Sequence, residues 1–321
     1  MRVGALIGAA ALTLLSCGFP TPRIAPAEPI HVEVAPVVLD TRNPGVRSIG
    51  SFVYAGGIEI RAVGSMTILE LSDLRVVADD HIVAVSDSGY FFEARLLFDG
   101  MQRLSGLADA QVVPLVGERG EPLAETDADA EGLDLLPDGD RLVSFEGNHR
   151  IWRYSSDGTA PRPVPKPNAS FPINEGMEAI TRYPAAGPDA YLVGSERGRI
   201  WLCRLSAACT DTDLGALVPP GFGLTALSSY GEDGEFALLA RAYDLLRGVR
   251  VSVRLVATKG PRAARVVDEM TMAPPISVDN FEGISVVPGP GGGIRLFLVS
   301  DDNGSAAQHT YLLAFDWQPA R

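Results

Sequence analysis

Residues 131–146 read EGLDLLPDGDRLVSFE and contain the pattern that decides the fold. A glutamate opens a short apolar run, Pro137-Asp138-Gly139 supplies a tight turn, and a second apolar run closes on Ser144-Phe145-Glu146. Short apolar runs on both sides of such a turn indicate a β-hairpin. Because the second strand of a hairpin returns to the level where the first began, we expect both glutamates at the same end of the hairpin.

The same unit recurs along the chain with a period of roughly 50 residues, which is the size of a four-stranded propeller blade. Each copy has a polar residue, a strand, a turn, a second strand and a closing polar residue. The copies begin at residues 72, 131, 178, 225 and 282. The sequence therefore predicts an all-β fold, a β-propeller of five or six blades, as a single domain over residues 37–321. A sixth, degenerate blade is left open in 37–64 or 246–278.

The two ends of this domain are expected to meet. The last strand-like run is 311–317, and the apolar run at 51–54 precedes the first repeat. Pairing between them would close the ring.

The first residues have the pattern of a targeting segment. Arg2 precedes an apolar stretch, 6–15, that is too short to span a bilayer and leads into Leu14-Leu15-Ser16-Cys17. This motif resembles the lipobox of bacterial lipoproteins, whose cysteine carries the lipid after cleavage. We expect a signal peptide at 1–16, lipid on Cys17, a proline-rich tether at 17–36, and a location in the cell envelope, on the outer membrane facing the periplasm. The alternative is a plain signal peptide with an incidental cysteine.

The composition limits the partners. The net charge is −13 and the pI about 4.8, which argues against nucleic acid and against charge-driven docking on anionic lipid. An acidic surface suits divalent cations. We expect a monomer whose contact with the membrane is the lipid anchor alone.

Acidic residues recur at the strand ends, and if these are the inner strands, they form a ring around the central channel. Calcium takes six to eight oxygen ligands, and carboxylates and amides supply them. The proposed calcium ligands are Asp87, Glu131, Glu146, Glu178, Glu196, Glu282, Asp301, Asn174 and Asn280, with Asn303 beside them. The alternative for each is that it caps a turn by accepting backbone N–H groups.

Several segments resemble the family named for the esterase-like activity of phytase. They are 85–89, 129–133, 144–151, 174–179, 224–227, 279–284 and 299–303, and together they spread over roughly residues 48–317. The resemblance implies hydrolysis of an ester or phosphoester, and an architecture distantly similar to calcium-dependent propeller phytases. One departure is Arg241, which closes the fourth unit where the others close on Asp or Glu.

The catalytic candidates are His149 and Arg241. A histidine can act as a general base near neutral pH, and an arginine can hold a phosphate or carboxylate through two hydrogen bonds. Arg150 and Arg197 are weaker candidates of the same kind, with surface ion pairs as the alternative. No Gly-x-Ser-x-Gly motif is present in the sequence, so a serine esterase is disfavoured.

Three functions remain open on these residues. The first is a calcium-dependent hydrolase of a small anionic ester. The second is a metal-dependent lactonase similar to the gluconolactonase propellers. The third is a non-catalytic, envelope-anchored binding or scaffold propeller.

Two cysteines, Cys203 and Cys209, lie within the domain. In an oxidising compartment they can form a disulfide across a short turn, and the alternative is two buried thiols in neighbouring strands.

Overall fold

Each of the five repeats folds as a hairpin of two inner strands. The computed structural model describes residues 26–64, 69–77, 80–173, 175–260 and 263–318, in which strands are numbered β1 to β23 along the chain. The first strands of the hairpins are β5 (Leu71–Val76), β9 (Ala130–Leu135), β13 (Ala179–Arg182), β17 (Gly223–Ser229) and β21 (Asn280–Pro288). Their antiparallel partners are β6 (His81–Ser86), β10 (Arg141–Phe145), β14 (Ala190–Gly194), β18 (Phe236–Asp244) and β22 (Ile294–Asp301).

Two outer strands complete each hairpin to a four-stranded sheet. They are β7 (Tyr90–Phe98) and β8 (Leu104–Pro114), β11 (Arg150–Tyr154) and β12 (Arg162–Pro163), β15 (Ile200–Arg204) and β16 (Ala207–Asp211), β19 (Gly248–Thr258) and β20 (Ala264–Met272), and finally β23 (Thr310–Trp317) and β4 (Phe52–Val63). Three of these sheets are separate, and one parallel bridge between Gly56 and Leu104 joins the other two.

The inner strands form a closed ring. Each first strand contacts the first strand of the next sheet, and β21 contacts β5, so the ring returns to its start. The N-terminal strand β4 pairs with β23 from Ile60–Thr310 to Phe52–Trp317, which joins the two ends of the chain in one sheet. The predicted all-β propeller is therefore confirmed. In the described part of the chain, 246–278 supplies β19 and β20 of the fourth sheet and leaves no strands for a sixth.

Both faces of each sheet are apolar because each sheet packs between two others. Leu238 and Leu239 are neighbours on β18 and both are fully buried, yet they belong to two different apolar clusters. Successive side chains of a strand point to opposite faces, so adjacent leucines serve the two flanking sheets. This explains why the inner strands are continuous apolar runs rather than alternating ones.

The N-terminal boundary of the folded part differs from the expectation. Within the segment 17–36 predicted as a tether, β1 (Glu28–Pro29) pairs with β8 and β2 (His31–Pro36) pairs with β4. Ile30 and Val32 pack against the core between these sheets. Two of the prolines in this segment, Pro29 and Pro36, lie in these edge strands, where the missing N–H costs no ladder hydrogen bond. A third short strand, β3 (Ser48–Ile49), also pairs with β4.

Two other sequence features are located away from the channel or outside the described residues. Cys203 on β15 and Cys209 on β16 are joined by a disulfide with an S–S distance of 2.01 Å, at the outer edge of the third sheet. Cys17 and the signal segment 1–16 lie outside the described residues. No helix in the described ranges is both long and apolar enough to cross a membrane.

One buried arginine links the first strands of all five hairpins. The guanidinium of Arg75 on β5 makes an ion pair with Asp73 on its own strand, at 3.0 Å, and with Asp134 on β9, at 2.9 Å. It also donates to the carbonyl oxygens of Ile180 on β13 (2.8 Å), Leu227 on β17 (2.8 Å) and Ile284 on β21 (3.0 Å). Burial acts to lower the pKa of Arg75, but the charges of Asp73 and Asp134 outweigh burial and raise that pKa. The arginine is therefore a charged crosslink inside the channel.

We expect the substitution Arg75→Met to lower the free energy of unfolding by about 3–5 kcal/mol, because it leaves two buried carboxylates without their counter-charge. Urea denaturation followed by tryptophan fluorescence measures this loss. The matched control is Arg61→Met, since Arg61 pairs with Glu59 on the surface with its own side chain 67% exposed. That change should alter stability by no more than about 0.5 kcal/mol. Equal small losses in both variants would show that the central crosslink does not stabilise the ring.

Candidate metal site

The ends of the inner hairpins surround an acidic cavity at one end of the channel, of about 320 Å³. It is lined by Ser72, Asp87, Asp129, Glu131, Glu146, Glu178, Glu196, Thr225, Arg241, Glu282, Asp301 and Asn303. These residues come from the beginning of the first strand and the end of the second strand in each sheet. The hairpin geometry thus brings together residues that are far apart in sequence.

The structure places most of the sequence-predicted ligands in this cavity. All seven predicted acids line it, as does Asn303. Asn280 lies beside it, buried, and its Nδ2 donates to Asp301 Oδ2 at 3.2 Å. Asn174 lies outside the described residues. Asp129 was not among the predicted ligands. It lies two residues before Glu131, and side chains two positions apart in an extended chain point to the same side, so the sequence contained a signal for it.

The Glu-Gly pairs at the start of two inner strands have a packing reason. A Cβ at Gly132 would lie 2.6 Å from Ser144 Oγ and 2.7 Å from the carbonyl oxygen of Glu178. A Cβ at Gly283 would lie 2.7 Å from Asp73 Cα on the neighbouring inner strand. Real Cβ atoms do not approach backbone this closely, so only glycine lets neighbouring inner strands come together here. The preceding glutamate, Glu131 or Glu282, then lines the cavity.

Three carboxylates lie close enough to share one cation. Asp129, Glu131 and Glu146 each offer an oxygen, and these oxygens all lie within 4.8 Å of one another. Ligand oxygens stand 2.3–2.6 Å from calcium, so two ligands on opposite sides of the ion are about 5 Å apart. The spacing of the three oxygens therefore fits a shared calcium ion.

Burial of the acids and their closeness to one another raise their pKa values. Burial, followed by the charges of Glu178 and Asp129, raises the pKa of Glu131 well above its usual range. Burial and the charge of Glu146 do the same to Glu178. Burial is also the largest cause for Asp87, whose pKa rises to about 8, and for Glu146, whose pKa rises to about 7. Each proton held in this way is one that a divalent cation could replace.

Arg241 is the only cationic residue among the described residues that line the cavity. Its Nη2 lies 3.0 Å from Glu282 Oε1, and its side chain is 28% exposed. Burial raises the pKa of Glu282 to about 8, against the opposing effect of Arg241. The arginine thus places one positive charge at the wall of an otherwise acidic cavity.

His149, the other predicted catalytic residue, does not line the cavity. Its Nε2 lies 2.8 Å from the carbonyl oxygen of Pro172, and its ring packs against Phe171. Its Nδ1 faces Gly176, which has the side chain of Glu146 next to it. The histidine therefore lies behind the acidic wall, and this position disfavours the general-base role predicted for it.

The two further arginines also lie away from the cavity. Arg197 forms an ion pair with Glu175, and its side chain is exposed. The guanidinium of Arg150 stacks over Phe145, with 3.8 Å to the ring centre, and donates to the carbonyl oxygen of Asp127. The contact of Arg197 is the surface ion pair given as the alternative, whereas Arg150 is held by an aromatic ring and a backbone carbonyl oxygen, which the sequence did not predict.

The serines that precede the acids in the repeat have structural roles. Ser144 Oγ accepts a hydrogen bond from Gly132 N at 3.0 Å, and Ser300 Oγ donates to the carbonyl oxygen of His309 at 2.6 Å. Each joins neighbouring segments of the same sheet. These contacts give Ser144 and Ser300 a role in holding the sheets together.

Without a divalent cation, we expect stability to fall as pH rises from about 5 to about 8. The raised pKa values mean that the folded state holds more protons than the unfolded state in this window, so the free energy of unfolding decreases as the acids ionise. In chelator, the midpoint of thermal unfolding should drop on the order of 5 °C across the window. The variant Glu131→Gln/Glu282→Gln, which removes two of the titrating groups, should show a smaller drop. A midpoint that rises with pH in chelator would contradict the crowding of charge described above.

The comparison with known proteins identifies a family. A model of the family Phytase-like, described as "Esterase-like activity of phytase", matches residues 67–304. No curated protein matches the chain. Among solved structures, the Malassezia sympodialis allergen Mala s 1 is 14% identical over 84% of this chain and 91% of its own, with a TM-score of 0.48.

Two lyase structures show the same level of likeness. A streptogramin B lyase is 11% identical over 88% of this chain and 98% of its own, with a TM-score of 0.41. The virginiamycin B lyase from Staphylococcus aureus is 12% identical over 91% of this chain and 89% of its own, with a TM-score of 0.40. Identities this low concern the fold and not the chemistry. The family match, in contrast, spans more than half of the chain and includes the whole acidic cavity, so the chain belongs to the Phytase-like family.

Proposed function

We propose that the protein is a calcium-dependent hydrolase of small anionic esters, phosphoesters first among them, and that the metal binds in the acidic cavity. The observation that carries this proposal is the set of carboxylates at one end of the channel, with Asp129, Glu131 and Glu146 within reach of a single ion. Membership in the Phytase-like family supports the hydrolytic activity.

The donor set fits calcium better than zinc. The lining residues offer carboxylate, hydroxyl and amide oxygens, and no histidine or cysteine is among those described. Hard cations such as calcium prefer oxygen ligands, whereas zinc sites use imidazole and thiolate. Several acids beyond the close group of three, such as Glu178 and Glu282, can complete a coordination shell or bind a second ion.

The positions of the lining residues suggest a separate chemical role for each group. A bound calcium ion supplies Lewis-acid chemistry, since it holds anionic oxygens and lowers the pKa of a bound water. Arg241 can hold another oxygen of the same anion through its guanidinium. A carboxylate of the wall that the ion does not engage can accept the proton of the attacking water.

We also propose that the chain is exported and carries a lipid on Cys17, in the cell envelope. The support is the apolar segment followed by Leu14-Leu15-Ser16-Cys17. Mass spectrometry of the N-terminal peptide of the protein from its host should give a peptide that begins at Cys17 and bears acyl chains. A peptide that begins elsewhere, without acyl chains, would exclude the anchor.

Calorimetric titration should detect saturable calcium binding that the variant Glu131→Gln/Glu146→Gln loses. The control is Glu175→Gln, because Glu175 pairs with Arg197 outside the cavity. The double variant should also lose the rise in unfolding temperature that calcium gives the unmodified chain. If the variants bind calcium alike, or if the unmodified chain binds none, the metal site is not in this cavity.

Arg241→Gln should separate calcium binding from catalysis. We expect calcium affinity to remain within about 3-fold, because the arginine donates no lone pair to the metal. We expect kcat/KM for a phosphomonoester to fall roughly 10- to 100-fold, the loss of about 1.5–3 kcal/mol typical of a hydrogen bond to a charged group. Hydrolysis of lactones in preference to phosphoesters would move the assignment to the lactonase alternative. Calcium binding without turnover of either substrate class would favour a binding or scaffold propeller.

A further inference from the structure

The turn between β18 and β19 exposes apolar side chains to solvent. Leu245 is 91% exposed and Leu246 is 97% exposed, and the preceding Tyr243 is 65% exposed. Soluble surfaces carry isolated apolar residues, but two adjacent leucines at the very end of a protruding hairpin leave almost all of their apolar area in water. Only a partner surface that covers these leucines could bury this apolar area.

The turn is well ordered by its own hydrogen bonds. Asp244 Oδ1 accepts from the backbone N–H of Leu246 at 3.1 Å and of Arg247 at 2.9 Å. Its Oδ2 pairs with Arg250 Nη2 at 3.1 Å. An aspartate that accepts hydrogen bonds from residues two and three positions ahead fixes such a turn. The leucines are therefore held outward by a defined conformation.

The tip lies on the same face as the acidic cavity. Strand β18 runs toward the cavity, where Arg241 lines the wall, and the leucines follow four and five residues later. Ile173, 76% exposed, lies in the segment just before Gly176, whose backbone N–H donates to Oε1 of the cavity residue Glu178 at 2.9 Å. The three most exposed large apolar side chains of the described residues thus share this face.

The N-terminal end of the described chain reaches the same face. Glu28 on β1 pairs with Val112, near the end of β8, where Pro114 pairs with Tyr90 directly after the turn that holds the cavity residue Asp87. Strand β1 runs away from the cavity, so the chain arrives from the cavity side. An extended chain spans at most about 3.5 Å per residue, so the eight residues 18–25 keep a lipid on Cys17 within roughly 30 Å of this face.

We propose that Leu245 and Leu246 insert into a lipid bilayer and that the cavity face is turned toward that bilayer. The occupant is a membrane rather than another protein because the chain would bring its own lipid to this side of the molecule. Tyr243 would then lie at the level of the headgroups, where its ring and hydroxyl are both satisfied. With a net charge of −13, attachment should depend on the apolar tip and not on anionic lipid. The orientation rests in part on the proposed lipid anchor, whereas the insertion does not rest on the proposed hydrolysis.

The experiment places a bimane label on the full chain, as its host processes it, in phosphatidylcholine vesicles. One variant carries the label at Leu245→Cys and its matched control at Met101→Cys, because Met101 is 71% exposed in the β7–β8 turn at the opposite end of the sheets. We expect brominated phosphatidylcholine to quench the label at position 245, with a blue shift of its emission, and to leave the label at position 101 unchanged. Adding Leu246→Asp to the first variant should abolish that quenching.

Other outcomes overturn the proposal. Quenching at neither position on vesicle-bound protein would mean that the tip stays in water, and quenching at position 101 alone would reverse the orientation. A doubled mass in sedimentation, reduced to the monomer mass by Leu246→Asp, together with no quenching, would assign the tip to a second copy of the chain. All of these results are independent of calcium binding and turnover, so failure here leaves the proposed hydrolysis untouched, and failure of the proposed hydrolysis leaves the insertion untouched.

Discussion

The ring of five inner strands depends on one buried cation. Arg75 reaches carboxylates on two inner strands and backbone carbonyl oxygens on the other three. The inner ends of the sheets meet around a narrow axis, where backbone groups face one another without a continuous ladder of hydrogen bonds. A planar guanidinium with five donors can satisfy several of these groups at once. Asp73 supports this by accepting the backbone N–H groups of Leu133 and Ile284 on the two adjacent inner strands.

Two positions along the channel have opposite arrangements of charge, one around Arg75 and the other at the acidic cavity. Around Arg75, two aspartates and four carbonyl oxygens surround one cation within the protein itself. At the cavity, eight carboxylates face one arginine, and the excess negative charge has no partner among the described residues that line it. Burial, and after it the charges of neighbouring acids, raise the pKa values of Asp87, Glu131, Glu178 and Glu282. The position around Arg75 has the character of a structural crosslink. The acidic cavity has the character of a site that needs a counter-ion.

The cavity, the hairpin tip and the N-terminal strands lie at one end of the sheets, and this shared direction follows from the order of strands. The first strand of each sheet begins at the cavity, and the second and fourth strands of the sheet run back toward it. The turns after the second strands and the links between sheets therefore lie at that end. Function in propellers can therefore concentrate on one face while the other face carries only hairpin turns. In this chain the face combines a cluster of carboxylates with exposed apolar side chains.

The sequence by itself determined the repeat, the all-β class and the acidic ring. A hairpin has a two-residue alternation and a local turn, so the motif at 131–146 predicts where its own two ends lie, and repetition carries that result to every sheet. Only the tertiary structure decided what depends on packing between distant segments. Nothing local in the sequence distinguishes Arg75, because the oxygens that surround it come from four other strands. His149 follows Glu146 closely in sequence yet lies behind the wall, because the turn directs it toward Pro172 rather than the axis. The strands at 28–36 read as a proline-rich tether, since their pairing partners, 58–63 and 111–112, are remote along the chain and only the folded edge reveals them.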